Sequence, residues 1–290
     1  MLKGFTFIMK YYVIIPAYNE AAYINGMLQS LAKQTILPAQ AVVVNDNSND
    51  ETAIIVEQLC NKYSWLKLVN KTSSAVHMPG SKVIQAFSTG YNTIDEDYDI
   101  IVKLDADLIL PPDYFETIIN TFKKDKTVGM VGGFAYIEHN GDWVLENLTD
   151  KDHIRGAFKA YRKECFLQIG KLKPAMGWDT VDELLSKFYN WKVITIESLK
   201  VKHLKPTGAS YNKAARYKQG ESFYTLGYGL IITTIAGAKL ALRKKKPLLF
   251  IDYIKGYLKA QKEQRELLVT KEQASFIRSY RWKKIKAKLF

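Results

Sequence analysis

Apolar and polar positions alternate in blocks along the first two thirds of the chain. Tyr12 to Ile15 is an apolar run closed by Pro16. Glu20 to Lys33 then carries Ile24, Met27, Leu28 and Leu31 at the three-and-four spacing of a helix with one buried face. Ala41 to Val44 is a second apolar run, followed by the polar turn Asn45 to Asp50 and a helix with Ile55, Val56 and Leu59 on one side. Leu66 to Val69, a helical stretch from Ser81 to Thr93, and Asp99 to Leu104 continue the series. Continuous apolar strands between amphipathic helices predict an α/β domain whose mostly parallel, Rossmann-like sheet is flanked by helices.

In such a sheet, ligands bind beyond the carboxyl ends of the strands. The polar residues stand there: Pro16-Ala17-Tyr18-Asn19-Glu20 after the first strand, Asn45 to Thr52 after the second, and Asp105-Ala106-Asp107 after the fourth. Residues i and i+2 point to one side of an extended chain. Asp105 and Asp107 can therefore converge on one hard cation, and oxygen ligands suit Mg²⁺ or Mn²⁺. Asn49 or Asp50 is expected to cap the second helix, leaving Asp46 free to accept hydrogen bonds from a base or ribose. Tyr18 is placed to lie against a nucleobase. No Gly-x-Gly-x-x-Gly or Gly-Lys-Ser/Thr loop follows any of these strands, which disfavours a dehydrogenase or P-loop enzyme. A nucleotidyltransferase on a similar sheet would also need a Gly-rich phosphate loop near the first strand.

Composition changes the picture at the C-terminal end. The chain of 290 residues has a net charge of +13, yet residues 1–202 hold 22 Lys and Arg against 24 Asp and Glu, whereas residues 203–290 hold 20 against 5. A near-neutral domain (1–206) is thus expected to precede a basic, partly apolar helical region (207–290), which must meet something anionic. Ser222 to Ala238 is largely apolar but broken by Gly227, Gly229 and Gly237, and Arg243-Lys244-Lys245-Lys246 follows. Three readings stay open: a segment lying on an anionic bilayer, a single membrane span, and a soluble helical subdomain whose charges face an acidic acceptor. No RNA-recognition signature or zinc-finger spacing is present, so no nucleic acid is expected. Two cysteines, Cys60 and Cys165, and no secretory leader in Met1 to Met9 suit a cytoplasmic setting, with the basic tail at the inner face of the plasma membrane.

The motifs Val13-Ile14-Ile15-Pro16-Ala17-Tyr18-Asn19-Glu20, Val42 to Thr52 and Leu104-Asp105-Ala106-Asp107, in this order and spacing, resemble the bacterial inverting family-2 nucleotide-sugar glycosyltransferases of the GT-A fold. Pro79-Gly80-Ser81-Lys82 with Tyr91-Asn92 is a looser match, and the resemblance runs over roughly residues 11 to 206. It implies a metal-dependent hexosyltransferase that takes a sugar from a UDP- or GDP-sugar to a glycan or lipid-linked acceptor in surface polysaccharide synthesis. Carried over, Pro16, Ala17, Tyr18 and Glu20 line the nucleotide pocket and Asp46 holds the base or ribose. Asp105 and Asp107 belong to the metal-diphosphate site, and Lys82 lies near the phosphates or on the surface.

The family's acidic pair opens a helix at Gly177-Trp178-Asp179-Thr180-Val181-Asp182-Glu183. Its catalytic base falls on Asp179, with Asp182 as the alternative, because Trp178 stands where the family has Glu. Asp179, Asp182 and Glu183 share one helical face, so all three are expected to approach the site. Trp178 covers the sugar or packs in the core. His203 matches the histidine that approaches metal and diphosphate in many members. His77, His139 and His153 carry no comparable context. The other class in play is a catalytically degenerate nucleotide-binding GT-A protein whose tail binds an acidic polymer or nucleic acid.

Overall fold

The computed structural model describes residues 9–72, 80–146, 150–205 and 217–289. Residues 1–8, His77, Pro79 and the expected boundary at 206/207 lie outside the described residues. The first half runs β1 (Tyr11–Ala17), α1 (Ile24–Ala32), β2 (Gln40–Asp46), α2 (Thr52–Cys60), β3 (Leu66–Lys71), α3 (Ser81–Tyr91) and β4 (Ile100–Leu104). The second half adds β5 (Leu108–Ile109), α4 (Tyr114–Lys124), β6 (Val128–His139), β7 (Asp142–Leu145), β8 (Phe158–Arg162), α5 (Lys163–Gln168), α6 (Trp178–Phe188) and β9 (Lys192–His203).

The strands form one sheet in the order β3-β2-β1-β4-β8-β6-β9-β5, with β7 on β6. From β3 to β4 every pairing is parallel, as the blocks of apolar and helical sequence require. Beyond β4 the sheet becomes mixed: β8 is antiparallel to β4 and β6, while β9 runs parallel to β6. The β1, β2 and β4 interiors are fully buried from Val13 to Ile15, Ala41 to Val44 and Ile100 to Val102, which explains why these strands read as unbroken apolar runs. Because the three are parallel neighbours, the segments after them emerge at one edge.

The pairing at the far side of the sheet decides the site. The two-residue strand β5 follows Asp107 directly and pairs with the end of β9, setting Leu108 opposite His203. The Leu204 N–H also donates to the Asp107 carbonyl at 2.9 Å. A histidine nearly a hundred residues downstream is thereby brought against the acidic pair.

The C-terminal region is helical: α7 (Lys218–Thr225), α8 (Gly229–Arg243), α9 (Leu248–Lys262) and α10 (Lys271–Leu289). It packs back on the sheet domain. Ser222 Oγ donates to the Met176 carbonyl at 2.9 Å, Lys284 pairs with Asp152, and Arg243 lies 3.7 Å from Asp150. Among the described residues no helix is long and apolar enough to cross a membrane, so the spanning reading of Ser222 to Ala238 is overturned.

Candidate active site

Asp105, Asp107 and His203 converge at the crevice. One ligand atom from each lies within 4.8 Å of the others. The Asp105 carboxylate is a third exposed and pairs with Lys103, which is buried within β4 and also donates to the Gly156 carbonyl at 2.9 Å. Asp107 is nearly buried and stands 3.4 Å from His203 Nε2, while His203 Nδ1 lies 3.4 Å from Glu146. Burial alone would lower the imidazole pKa, but the Asp107 and Glu146 carboxylates outweigh it and push it up to about 9. Two carboxylates and an imidazole held this close fit Mn²⁺ or Mg²⁺, since the set offers hard oxygens, one borderline nitrogen and room for further oxygen ligands. Glu146 behind the ring fixes His203, as outer partners of metal-ligating histidines do.

The strand-one segment lines the same crevice. Pro16 and Ala17 end β1 opposite Val44 and Asn45, and Tyr18 is 60% exposed at the rim. The Asn19 N–H donates to Ser48 Oγ at 3.0 Å and the Glu20 N–H to Thr52 Oγ1 at 2.8 Å, tying the loops after β1 and β2 together. Glu20 accepts from Lys205 at 2.5 Å; burial pushes its carboxyl up, and Asp107 and Asp105 add to the effect. Asp50 accepts the Thr52 N–H at 3.0 Å just ahead of α2, but the N-cap residue is Glu51, which makes no side-chain cap bond, so neither Asn49 nor Asp50 is the cap. Asp46 is not free as expected: Lys71, at the end of β3, donates to it at 3.2 Å. Lys82 is half-buried in the first turn of α3.

The helix α6 divides its three carboxylates between crevice and core. Gly177 precedes it at φ +85°, and a side chain there would meet Ser222 Oγ at 2.7 Å, so only glycine starts the helix this way. Asp179 follows in the first turn with its carboxylate 36% exposed, 3.8 Å from His153 Nε2. Asp182 and Glu183 do not approach the crevice. Asp182 is 2% exposed, accepts Lys159 Nζ with both oxygens at 2.9 Å, and accepts Tyr161 Oη at 2.6 Å. Glu183 accepts the Ile154 N–H at 2.8 Å and lies 3.1 Å from His153 Nδ1. All three share a helical face, but Lys159 in the middle of β8 draws two of them inward.

Electrostatics separate them further. Burial pushes Asp179 up, yet His153 and Lys159 more than reverse this and bring its carboxyl down to about 2. Burial works against the Lys159 ammonium, but Asp182 and Glu183 hold it above its ordinary value. His153 sits between Asp179 and Glu183 and is pushed up to about 9 against the effect of its burial. The expectation that His153 has no special context is therefore overturned. Trp178, 6% exposed, lies between the Lys103 and Lys159 ammonium groups, 5.3 and 5.7 Å from its ring centre, so its role is in the core.

Lys103, Lys159, Tyr161, Glu146 and His153 were not singled out by sequence reasoning. A signal existed for the two lysines. Each stands at a strand interior, in Ile-Ile-Val-Lys-Leu and Phe-Lys-Ala-Tyr, where a buried charge demands a partner.

A mixed sheet of this topology, with an acidic-imidazole cluster at its strand ends, places the protein in the class of GT-A glycosyltransferases. The chain belongs to glycosyl transferase family 2, whose family model matches residues 12–171, more than half of its length. It is 29% identical over 119 residues to a chondroitin synthase of Pasteurella multocida, a match covering 41% of this chain and 11% of that protein. It is 26% identical over 198 residues to an uncharacterized glycosyltransferase of Mycoplasma genitalium, covering 61% and 63% of the two. The chain thus spans only about a tenth of the synthase. Among solved structures, the mannosyltransferase of Pyrobaculum calidifontis in complex with GDP-Man and Mn²⁺ superposes with a TM-score of 0.58 at 18% identity, over 94% of this chain and 80% of that one. The Staphylococcus aureus protein TarS, residues 1–349, in complex with UDP-GlcNAc, superposes with a TM-score of 0.56 at 18% identity, over 87% and 73%. These likenesses place the fold among GT-A enzymes.

Proposed function

We propose that the protein is an inverting, metal-dependent transferase that moves a sugar from a UDP- or GDP-sugar to a hydroxyl of a glycan or lipid-linked acceptor in surface polysaccharide synthesis. The observation that carries this reading is the convergence of Asp105, Asp107 and His203 at the strand ends of a GT-A sheet; the partly exposed Asp179 in the first turn of α6 supplies the candidate base. Relatives point the same way: the synthase named above makes chondroitin, and TarS is a poly(ribitol-phosphate) β-N-acetylglucosaminyltransferase.

Asp105, Asp107 and His203 would hold Mn²⁺ or Mg²⁺. Such an ion supplies Lewis-acid neutralisation of the charge that develops on a departing nucleoside diphosphate. Pro16, Ala17, Tyr18 and Glu20 form the wall for the nucleotide, with Tyr18 exposed for stacking. Asp46, engaged by Lys71, presents its second oxygen to the base or ribose, and Lys82 faces the phosphates. Asp179 takes the proton from the acceptor hydroxyl; His153 and Lys159 keep it ionised, and His153 holds its orientation. Asp182 is the counter-ion of Lys159 and supports α6 from within.

The same reading sets the enzyme at the inner face of the plasma membrane. Ile231, Ile235 and Leu242 on α8, with Leu248, Ile251 and Leu258 on α9, are exposed apolar residues on the outer faces of two helices joined through Lys244-Lys245-Lys246. Apolar surface flanking a cationic turn fits a segment resting on anionic lipid.

The test is release of UDP or GDP from UDP-GlcNAc, UDP-glucose and GDP-mannose in the presence of Mn²⁺ and membrane-derived acceptors. Acceptor-stimulated release that Asp179→Asn abolishes supports the reading. Nucleotide binding without any release would favour the degenerate protein instead.

A further inference from the structure

Behind Asp179, between α6, α8, α10 and the segment 150–153, lies a cavity of about 220 Å³. Thr180, Glu183 and Lys187 line it from α6, and His153, which also lines it, stands between it and the Asp179 carboxylate 3.8 Å away. Its volume is below the range of about 300–1,000 Å³ usual for whole-ligand clefts, and suits one sugar-sized or phosphate-sized unit.

Its charge is the informative property. Lys187, Arg243, Arg281 and Lys284 line it, against the carboxylates of Asp150, Asp152 and Glu183. Three of these cations are matched: Lys187 with Glu183 at 3.7 Å, Arg243 with Asp150 at 3.7 Å, and Lys284 with Asp152. Arg281 pairs with no carboxylate among the described residues. Its guanidinium lies over the Tyr228 ring, 4.9 Å from the centroid, and donates to Tyr228 Oη. Its Nε is buried and has no hydrogen-bond partner among the described residues. That sealed Nε lies beyond the reach of a ligand, so the half-buried Arg281 meets the cavity through the rest of its side chain, as a cation with no carboxylate partner among the described residues. Tyr228, buried itself, holds the group in place, and a planar guanidinium suits carboxylate and phosphate alike.

We propose that this cavity is the acceptor subsite for an oxyanion-bearing unit, either a phosphate or a uronate carboxylate, with Arg281 as its anchor and Lys284 as its second cation. The inference rests on the reading of Asp179 as the base, because it makes α10 part of the acceptor site. It gives the excess positive charge of the C-terminal region a place in substrate selection.

Isothermal titration of the full chain tests it, with glycerol 3-phosphate, glucuronate and glucose as probes. EDTA is present, so that anions do not report on the metal-diphosphate crevice. Glycerol 3-phosphate or glucuronate should bind and glucose should not; which of the two binds identifies the source of the charge. Arg281→Met should weaken that binding by about tenfold, the scale of one charge-assisted hydrogen bond. Lys284→Met, at a partly exposed position that tolerates change, should weaken it in the same direction. Binding of glucose equal to that of the anions, or wild-type anion affinity in both variants, would overturn the subsite. Mn²⁺-dependent binding of UDP- or GDP-sugar, titrated on the same protein preparations in separate EDTA-free samples, reports on the donor site. Its loss in wild-type protein would count against the transferase reading rather than the subsite.

Discussion

Asp179 and Asp182 are three residues apart on one helix, yet they should fail in different ways when changed. Asp182 is fully buried against Lys159 and Tyr161, so Asp182→Asn breaks a buried ion pair and should cost about 3–5 kcal/mol of stability. Asp179 is partly exposed and has one ion-pair partner among the described residues, His153, so Asp179→Asn should lower the melting temperature less than Asp182→Asn while turnover falls by about 10²–10⁴ and donor affinity is kept. Chemical denaturation together with steady-state kinetics separates the two. Near-normal turnover in Asp179→Asn, with loss in a folded Asp182→Asn, would reverse their roles. His153 adds a pH signature. Its folded value of about 9 lies above the ordinary 6.5, so the stabilisation it contributes is full below pH 6.5 and is lost as pH rises through 9. The melting temperature should fall over that window, and His153→Gln should flatten the part of the fall that belongs to this ring. An unchanged profile in the variant would remove His153 from the network.

At the scale of elements, the site depends on two strands that each bury a lysine. Lys103 in β4 stands beneath Asp105, and Lys159 in β8 stands beneath α6. Lys159→Met should leave Asp182 without its counter-ion, while Glu183 keeps His153 and Lys187, and should destabilise the protein by about 3–5 kcal/mol, loosening α6 and with it Asp179. Adding Asp182→Asn to Lys159→Met should recover part of the loss; strict additivity in a double-mutant cycle would contradict the coupling. These strands also show how far the sequence can be read. The strands β1, β2 and β4 and the loops after them were legible because parallel strands buried on both faces become unbroken apolar runs and their polar ends become motifs. Asp105, Asp107 and His203 were legible as types, but their meeting depends on the β5–β9 pairing, a contact of two residues with no signature of its own. The inward turn of Asp182 and Glu183 was hidden because helical spacing gives a shared face, not which neighbour claims it. Asp46 was read as free because its partner, Lys71, comes from a strand 25 residues later.

Across the whole molecule, charge and apolar exposure divide the C-terminal helices into two faces. The inner face meets Asp150 and Asp152 and lines the cavity beside Asp179, and the outer face of α8 and α9 is apolar with a basic turn. The outer face should sediment with anionic vesicles and release them as salt rises, since each basic residue near such a surface contributes about 1 kcal/mol over a Debye length of about 10 Å. Replacing Leu242, Leu248 and Ile251 with Ser should weaken sedimentation without altering nucleotide binding, because none of them reaches the crevice. Equal sedimentation with neutral and anionic vesicles would contradict the basic contribution.

The central claim is that Asp105, Asp107 and His203 bind a nucleotide-sugar through a divalent cation. Its most direct test is the melting temperature of the wild-type protein and Asp107→Asn with UDP-GlcNAc or GDP-mannose, each with and without Mn²⁺. A ligand at a hundredfold excess over its Kd stabilises the native state by about 2.7 kcal/mol, which for a domain of this size is a rise of about 5–10 °C. The account predicts such a rise with at least one nucleotide-sugar in wild-type protein, only when Mn²⁺ is present, and its disappearance in Asp107→Asn. A rise of equal size without metal, or one retained in Asp107→Asn, would contradict it.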